Sequence, residues 1–140
     1  MAGSVEDIEA AHAFLREKSS NGKVGATGFC LGGGLAYLAA TQSKVDAAVP
    51  YYGSAINDLL GQVDQLTCPT MFHYGNNDPF IPEEKIAEVE RAVADKPNVT
   101  FHRYDAGHAF SNWDAPSMYD EAAATQAWQR TLELFAEHLR

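Results

Sequence analysis

Hydrophobic and polar positions along this chain predict short strands separated by helices. Apolar, β-rich runs at 23–29, 45–52, 70–74 and 99–104 predict four strands. Amphipathic stretches at 4–20, 31–42, 82–94 and 122–139 predict helices, and 57–66 predicts a loop with a short helix. Strands that alternate with helices indicate the α/β class. We therefore expect a single domain, a three-layer sandwich on a short, mostly parallel sheet of about four strands.

Some helix residues are expected to have structural roles. Ser4 is predicted to cap the first helix, because its hydroxyl can accept a hydrogen bond from the first turn. Trp128, Leu132 and Phe135 fall on one face of the last helix, which predicts that this face covers the sheet. His12 is predicted to be a surface residue of the first helix.

Composition and charge narrow the class of function. The chain has 140 residues, of which 46% are hydrophobic and 21% charged, a profile typical of one globular domain. Its net charge of −9 argues against nucleic acid or an anionic membrane as a partner. No apolar run approaches the roughly 20 residues that span a bilayer. The first residues lack the basic and apolar segments of a signal peptide, so a cytoplasmic location is expected.

The two cysteines, Cys30 and Cys68, have to be considered separately. They lack the CxxC spacing of zinc sites and redox pairs, and no group of acidic or histidine residues has metal-ligand spacing. A reducing compartment disfavours a disulfide between them. Cys68 is expected to pack at the start of a strand. Neither a metal nor another cofactor is therefore expected.

A candidate nucleophile lies in Gly28-Phe29-Cys30-Leu31-Gly32, between a predicted strand and a predicted helix. This is the G-x-C-x-G form of the nucleophile elbow, in which bulky neighbours would collide with the adjoining strand and helix. The N-terminus of the helix directs N–H groups at the reaction centre, so the backbone N–H of Leu31 is a candidate oxyanion donor. The alternative is a buried structural cysteine in a glycine-rich turn.

Two further candidates follow later strands. Asp78 comes directly after the strand at 70–74, and His108 follows the strand at 99–104. Taken singly, Asp78 is a turn aspartate before proline and His108 a solvated loop histidine. Together with Cys30 they give the order nucleophile, acid, histidine, each at the end of its own strand. We therefore predict a catalytic triad.

The chain resembles the dienelactone hydrolase family of α/β-hydrolases. The resemblance rests on motifs spread over nearly the whole chain, namely Gly28-Phe29-Cys30-Leu31-Gly32-Gly33, Tyr52-Gly53, His73-Tyr74-Gly75 with Asp78, Gly107-His108-Ala109-Phe110 and Ala127-Trp128-Gln129-Arg130-Thr131-Leu132. It implies a cofactor-independent hydrolase that opens lactones or cleaves carboxylic esters through a cysteinyl acyl-enzyme. It also implies that Cys30, His108 and Asp78 are the nucleophile, base and acid.

The chain departs from the family pattern in two ways. Family members are longer, and their front strands carry a second oxyanion donor, a glutamate and a substrate-binding arginine that have no counterpart here. The family's enzyme for dienelactone also has an arginine four residues after the histidine, which holds the substrate carboxylate, and this chain has Asn112 there. A neutral small-molecule ester or lactone is therefore expected as substrate. Phe80 and Trp113, with Asn112, are candidate substrate contacts, although loop packing explains the two aromatic residues equally well.

The missing front strands would leave the strand at 24–29, from Val24 to Phe29, at the edge of the sheet. Because an apolar edge strand tends to pair with another chain, we expect a homodimer through this edge. Two alternative functions stay open. The same triad serves a thioesterase or acyltransferase, and a chain with half an oxyanion hole is a catalytically weak remnant or an assembly module.

Overall fold

The computed structural model describes residues 2–140. Its elements, in chain order, are α1 (Ala2–Lys18), β1 (Gly25–Phe29), α2 (Leu31–Leu38), a π-helical turn (Ala39–Ser43), β2 (Ala47–Tyr51), a 3₁₀ helix (Ile56–Gln65), β3 (Thr70–Gly75), α3 (Glu83–Val93), β4 (Val99–Tyr104) and α4 (Glu121–His138). The strands form one parallel sheet in the order β1-β2-β3-β4. The predicted α/β class and the four parallel strands are confirmed.

Helices cover both faces of the sheet. Successive side chains of a strand point to opposite faces, so the neighbours of two β1 positions show which helix covers each face. A side chain at Gly25 would meet Phe135 and Leu139 of the α4 segment, whereas one at Gly28 would meet the backbone of Gly32 in α2. The elements α2 and α4 therefore lie on opposite faces, as in a three-layer sandwich. None of the helices within residues 2–140 is long and apolar enough to cross a membrane.

Three predictions about helix residues are wrong. The helical backbone of α1 already includes Ala2, so Ser4 lies inside the first turn and does not cap the helix. His12 is only 8% exposed, since α1 packs this side chain against the rest of the molecule. Trp128 and Leu132 are 48% and 49% exposed and do not cover the sheet, whereas Phe135, on the same predicted face, packs against the core as expected.

Small residues form the buried face of α4. Ala123, Ala127 and Thr131 are buried, and their small size lets the helix approach the sheet closely. The Thr131 hydroxyl donates to the carbonyl of Ala127 and lies 2.7 Å from the Tyr51 hydroxyl and 3.2 Å from His73 Nε2. Tyr51 of β2 and His73 of β3 thus both lie within hydrogen-bonding distance of Thr131 in α4.

His73 lies at the centre of this polar network. Its Nδ1 is 2.9 Å from the Tyr104 hydroxyl, which also accepts a hydrogen bond from Arg130. Because the Thr131 hydroxyl donates to a carbonyl, the His73 Nε2–H donates to Thr131, and Nδ1 accepts from Tyr104. Burial, with smaller effects of His102 and Arg130, lowers the pKa of His73 to about 3, so the imidazole is neutral.

The strand β1 is at one edge of the sheet, as predicted. The Val24 carbonyl and the Cys30 N–H bond to the β2 side, so the N–H and C=O groups of the alternate residues Gly25, Thr27 and Phe29 point away from the sheet. Phe29 is also 44% exposed. Pairing of this edge with a second copy stays a prediction.

Candidate active site

Cys30 occupies a strained turn between β1 and α2. Its φ of 55° and ψ of −120° lie outside the regions that non-glycine residues ordinarily adopt. The Cys30 N–H donates to the Tyr51 carbonyl at 3.2 Å, and its own carbonyl accepts from Gly33 at 2.9 Å and from Ser54 at 3.1 Å. Hydrogen bonds from β2, α2 and the loop after β2 therefore hold the backbone of the candidate nucleophile in this conformation.

Glycines allow the turn around Cys30 to pack closely. The G-x-C-x-G pattern predicts that these glycines are Gly28 and Gly32, but in the structure they are Gly28 and Gly33. A Cβ at Gly28 would lie 2.0 Å from the Gly32 carbonyl oxygen, and one at Gly33 would lie 2.7 Å from the Tyr51 carbonyl oxygen. A Cβ at Gly32 would meet nothing within 4 Å. On the strand side, a larger residue at Gly28 would therefore clash, as expected. On the helix side, the position that excludes a larger residue is Gly33, which faces β2, and not Gly32.

The three predicted catalytic side chains meet at the carboxyl ends of their strands. Cys30 Sγ is 3.0 Å from His108 Nε2, and His108 Nδ1 is 2.6 Å from Asp78 Oδ2. The Asp78 side chain is fully buried, and that of His108 is 13% exposed. These three groups thus form one continuous hydrogen-bonded chain that ends at the sulfur atom.

The second carboxylate oxygen of Asp78 is held by the backbone. Oδ1 accepts hydrogen bonds from the N–H groups of Phe80 at 2.8 Å and Ile81 at 3.0 Å. Because both oxygens have donors, the carboxylate has a fixed orientation and presents Oδ2 to His108. Asp78 is therefore arranged to bind the Nδ1–H of His108, which leaves Nε2 free to accept a proton from Cys30.

The resting thiol of Cys30 is protonated at neutral pH. Burial raises the pKa of the Cys30 thiol, and the Asp78 carboxylate raises it further. Cys30 lies at the N-terminus of α2, where the helix dipole favours a developing negative charge on sulfur. A protonated thiol is a weak nucleophile, so attack by this sulfur would need a base, and His108 Nε2 lies within hydrogen-bonding distance at 3.0 Å.

Leu31 is the first residue of α2, so its N–H has no acceptor within the helix. It lies directly after the candidate nucleophile, the place from which an elbow supplies one oxyanion donor. Its side chain is 57% exposed and is not needed for this role. Among the described residues, no group of three or more His, Cys, Asp or Glu side chains could hold a metal ion.

A cavity of about 310 Å³ opens beside the sulfur. It is lined by Phe29, Cys30, Tyr52, Ala109, Ser111, Asn112, Trp113 and Asp114. Two of the predicted substrate contacts, Asn112 and Trp113, therefore face the space next to Cys30. The third, Phe80, lies outside this lining, and its ring centroid is 5.2 Å from that of His108.

Tyr52 and Ser111 also line this cavity, although the sequence predicted no role for either residue. Tyr52 is buried, its φ is 34°, and its ring centroid lies 5.2 Å from that of His108. Burial raises the pKa of the Tyr52 hydroxyl to about 12, opposed by neighbouring Ser111. The Ser111 Oγ is buried and has no well-formed hydrogen bond within residues 2–140. For Tyr52, the sequence signal is its place in the Tyr52-Gly53 motif.

A second, apolar cavity of about 520 Å³ shares three lining residues, Phe29, Ser111 and Trp113, with the first. Trp128 lines this second cavity, which explains why its ring is half exposed. The hydrophobic pattern of α4 predicted a core position for Trp128, because a helical pattern does not show where the sheet ends.

The chain matches a profile of the dienelactone hydrolase family over residues 1–139. It is 37% identical over 137 residues to carboxymethylenebutenolidase 1 of Cupriavidus pinatubonensis (strain JMP 134 / LMG 1197), covering 97% of this chain and 58% of that protein. It is 38% identical over 138 residues to carboxymethylenebutenolidase of Pseudomonas putida, with the same 97% and 58% coverage. The chain thus spans somewhat more than half the length of these relatives.

Solved structures with the same fold include two hydrolases. One, assigned as a dienelactone hydrolase from Klebsiella pneumoniae subsp. pneumoniae MGH 78578, has a TM-score of 0.84 and 27% identity, over 96% of this chain and 60% of that one. The other, MGS-M1, an α/β-hydrolase enzyme from a Medee basin deep-sea metagenome library, has a TM-score of 0.72 and 18% identity, over 94% and 63%. With the profile and the sequence identities, these results show that the chain belongs to the dienelactone hydrolase family.

Proposed function

We propose that this chain hydrolyses a small, neutral carboxylic ester or lactone through a cysteinyl acyl-enzyme, with Cys30 as nucleophile, His108 as base and Asp78 as orienting acid. The observation that carries the proposal is the hydrogen-bonded chain from Asp78 through His108 to the Cys30 sulfur, with distances of 2.6 Å and 3.0 Å. The names of the relatives, carboxymethylenebutenolidase and dienelactone hydrolase, support an ester bond as the target.

Acylation begins when His108 Nε2 accepts the thiol proton while Sγ attacks the carbonyl carbon of the substrate. A C–S bond forms, and the carbonyl oxygen becomes an oxyanion that the N–H of Leu31 stabilises. Asp78 remains ionised and stabilises the imidazolium. When the carbonyl re-forms, the C–O bond breaks and His108 returns its proton to the leaving alkoxide.

Deacylation uses the same groups with water as nucleophile. His108 Nε2 removes a proton from a water molecule, which attacks the carbonyl carbon of the thioester. The C–S bond then breaks, and the thiolate regains the proton from His108. A lactone follows the same steps, except that the alkoxide released in acylation stays attached to the acyl group.

The lining of the cavity beside Cys30 favours a neutral substrate. Asp114 is the charged side chain among its lining residues, and no lysine or arginine is included. A substrate carboxylate would therefore have no counter-ion from this lining and would meet the charge of Asp114. Asn112 can donate or accept a hydrogen bond without charge, which suits an ester or lactone oxygen.

Hydrolysis of p-nitrophenyl butyrate by the purified chain tests the proposal. Cys30→Ala and His108→Ala should each abolish turnover above the rate of the uncatalysed reaction. Cys68→Ala serves as the control, because Cys68 is a thiol whose sulfur lies 3.6 Å from Thr70 and outside the site. Hydrolysis that survives both active-site substitutions would overturn the proposal. A folded wild-type chain without activity would favour the alternative of an assembly module.

A further inference from the structure

Phe80 is a large aromatic residue held over the candidate base. It lies in the loop between β3 and α3, is 68% exposed, and places its ring centroid 5.2 Å from that of His108 at an interplanar angle of 67°. Its backbone N–H donates to Asp78 Oδ1 at 2.8 Å. One residue therefore orients the acid through its backbone and contacts the base through its side chain.

Hydrogen bonds to Cys30 and Asp78 do not hold His108 throughout the proposed reaction. The imidazole is bound through its two nitrogen atoms, and the bond to Cys30 is lost once the sulfur is acylated, so rotation about χ1 and χ2 is then less restrained. His108 also lies in a turn outside the regular elements, where the backbone gives the side chain little support. Contacts at the carbon atoms of the ring must limit that rotation.

Two aromatic rings from different parts of the chain provide such contacts. Tyr52, after β2, has its ring centroid 5.2 Å from that of His108 at 58°, and Phe80 has the same distance at 67°. Tilted and edge-to-face arrangements of this kind are the favoured geometries of aromatic pairs. Tyr52 is buried in the core, whereas Phe80 is largely exposed, so Phe80 can be changed without leaving a cavity in the core.

We propose that Phe80 is a positioning residue, which holds the imidazole of His108 in line between Asp78 and Cys30. This inference rests on the proposed function. It differs from the sequence-based expectation that Phe80 contacts the substrate, because Phe80 is outside the lining of the cavity beside Cys30. An exposed aromatic residue is ordinary by itself. The contact with the catalytic base on one side and the backbone bond to the acid on the other give this one a role.

Steady-state kinetics with p-nitrophenyl butyrate separate the two roles. Phe80→Leu should lower kcat by about 2- to 10-fold with KM unchanged, the loss expected for one edge-to-face contact. Phe80→Tyr keeps the ring and should restore kcat. Phe14→Leu is the matched control, because Phe14 is 60% exposed on α1 and should leave both constants unchanged. A raised KM with unchanged kcat, or an effect equal in Phe14→Leu, would overturn the proposal.

A proton NMR measurement tests the same contact without turnover. The Nδ1 proton of His108 lies in a hydrogen bond of 2.6 Å and should give a resonance far downfield. In Phe80→Leu this resonance should broaden and exchange faster with water, because the ring no longer covers the imidazole. An unchanged resonance would contradict positioning by Phe80. Since no ester is present, this outcome is separable from failure of the proposed hydrolysis, which the Cys30→Ala variant reports.

Discussion

Asp78→Asn is the most informative single change, because the structure fixes which way the new amide must point. Oδ1 of Asp78 accepts two backbone N–H groups, from Phe80 at 2.8 Å and from Ile81 at 3.0 Å. The amide oxygen of the substituted side chain has to keep these donors, so its NH₂ group faces His108 Nδ1. That nitrogen must then accept a hydrogen bond, and the ring proton moves to Nε2.

The size of the effect follows from this change of tautomer. With its proton on Nε2, His108 presents a donor to the Cys30 sulfur and cannot take the thiol proton. Burial raises the pKa of the Cys30 thiol, and this effect remains when the Asp78 carboxylate is removed, so the thiol stays protonated at neutral pH. An Asp-to-Asn change that leaves the geometry intact costs about 10⁴-fold in kcat in a serine protease triad, equivalent to about 5 kcal/mol. We expect a loss of about 10³- to 10⁴-fold here.

The assay is hydrolysis of p-nitrophenyl butyrate, followed together with alkylation of the protein by iodoacetamide in a Cys68→Ala background. Both rates should fall in Asp78→Asn, while circular dichroism stays unchanged. Asp105→Asn is the control, because Asp105 is an exposed carboxylate that accepts a hydrogen bond from Asn77 at 2.8 Å and lies outside the triad. Activity of Asp78→Asn within about tenfold of wild type would mean that Asp78 does not set the tautomer of His108.

Three other changes have outcomes that the structure predicts. Gly28→Ala should destabilise the fold by more than about 3 kcal/mol in urea denaturation, because its Cβ would lie 2.0 Å from a carbonyl oxygen. Gly32→Ala is the control and should not destabilise the fold, because a Cβ there meets nothing within 4 Å. Equal losses of stability in the two variants would contradict the elbow geometry. The pKa of His73 is about 3 in the folded chain and 6.5 in the unfolded chain. The contribution of neutral His73 to stability is therefore complete above about pH 6.5 and is lost as the pH falls toward 3. Unfolding free energy should drop by about 2 kcal/mol between about pH 7 and pH 5 from this group, and His73→Gln should remove that part of the slope. If β1 pairs with a second copy, sedimentation should show a dimer, and Thr27→Pro, which removes an N–H that points away from the sheet, should give a folded monomer; a monomeric wild type would rule out the pairing.

The sequence predicts the candidate site best where a reactive side chain directly follows a predicted strand. Cys30, Asp78 and His108 each come within a few residues of an apolar run, and the carboxyl ends of parallel strands lie at one edge of the sheet. A local pattern therefore implies a spatial one, and the structure places the three side chains within hydrogen-bonding distance. The small shifts at strand ends, such as β2 beginning at Ala47, do not alter this arrangement.

The sequence does not predict how closely two distant elements pack or which side chains meet between them. The buried face of α4 is built from alanine and Thr131, whose hydroxyl is paired with Tyr51, 80 residues away in sequence. A hydrophobic pattern favours Trp128 and Leu132 instead, because it measures apolar character and not how closely a helix approaches a sheet. The contact between Phe80 and His108 is of the same kind, since loop conformation decides it.

In the proposed mechanism, a carbonyl carbon becomes bonded to the sulfur of Cys30 during turnover. The direct measurement is rapid acid quenching of the chain with a p-nitrophenyl ester, followed by peptide mass spectrometry. We predict an acyl group on the peptide that contains Cys30, absent from Cys30→Ala and accumulating in a variant with slowed deacylation. Turnover with no acylated peptide, or with the acyl group confined to Cys68, would contradict a cysteinyl acyl-enzyme at Cys30.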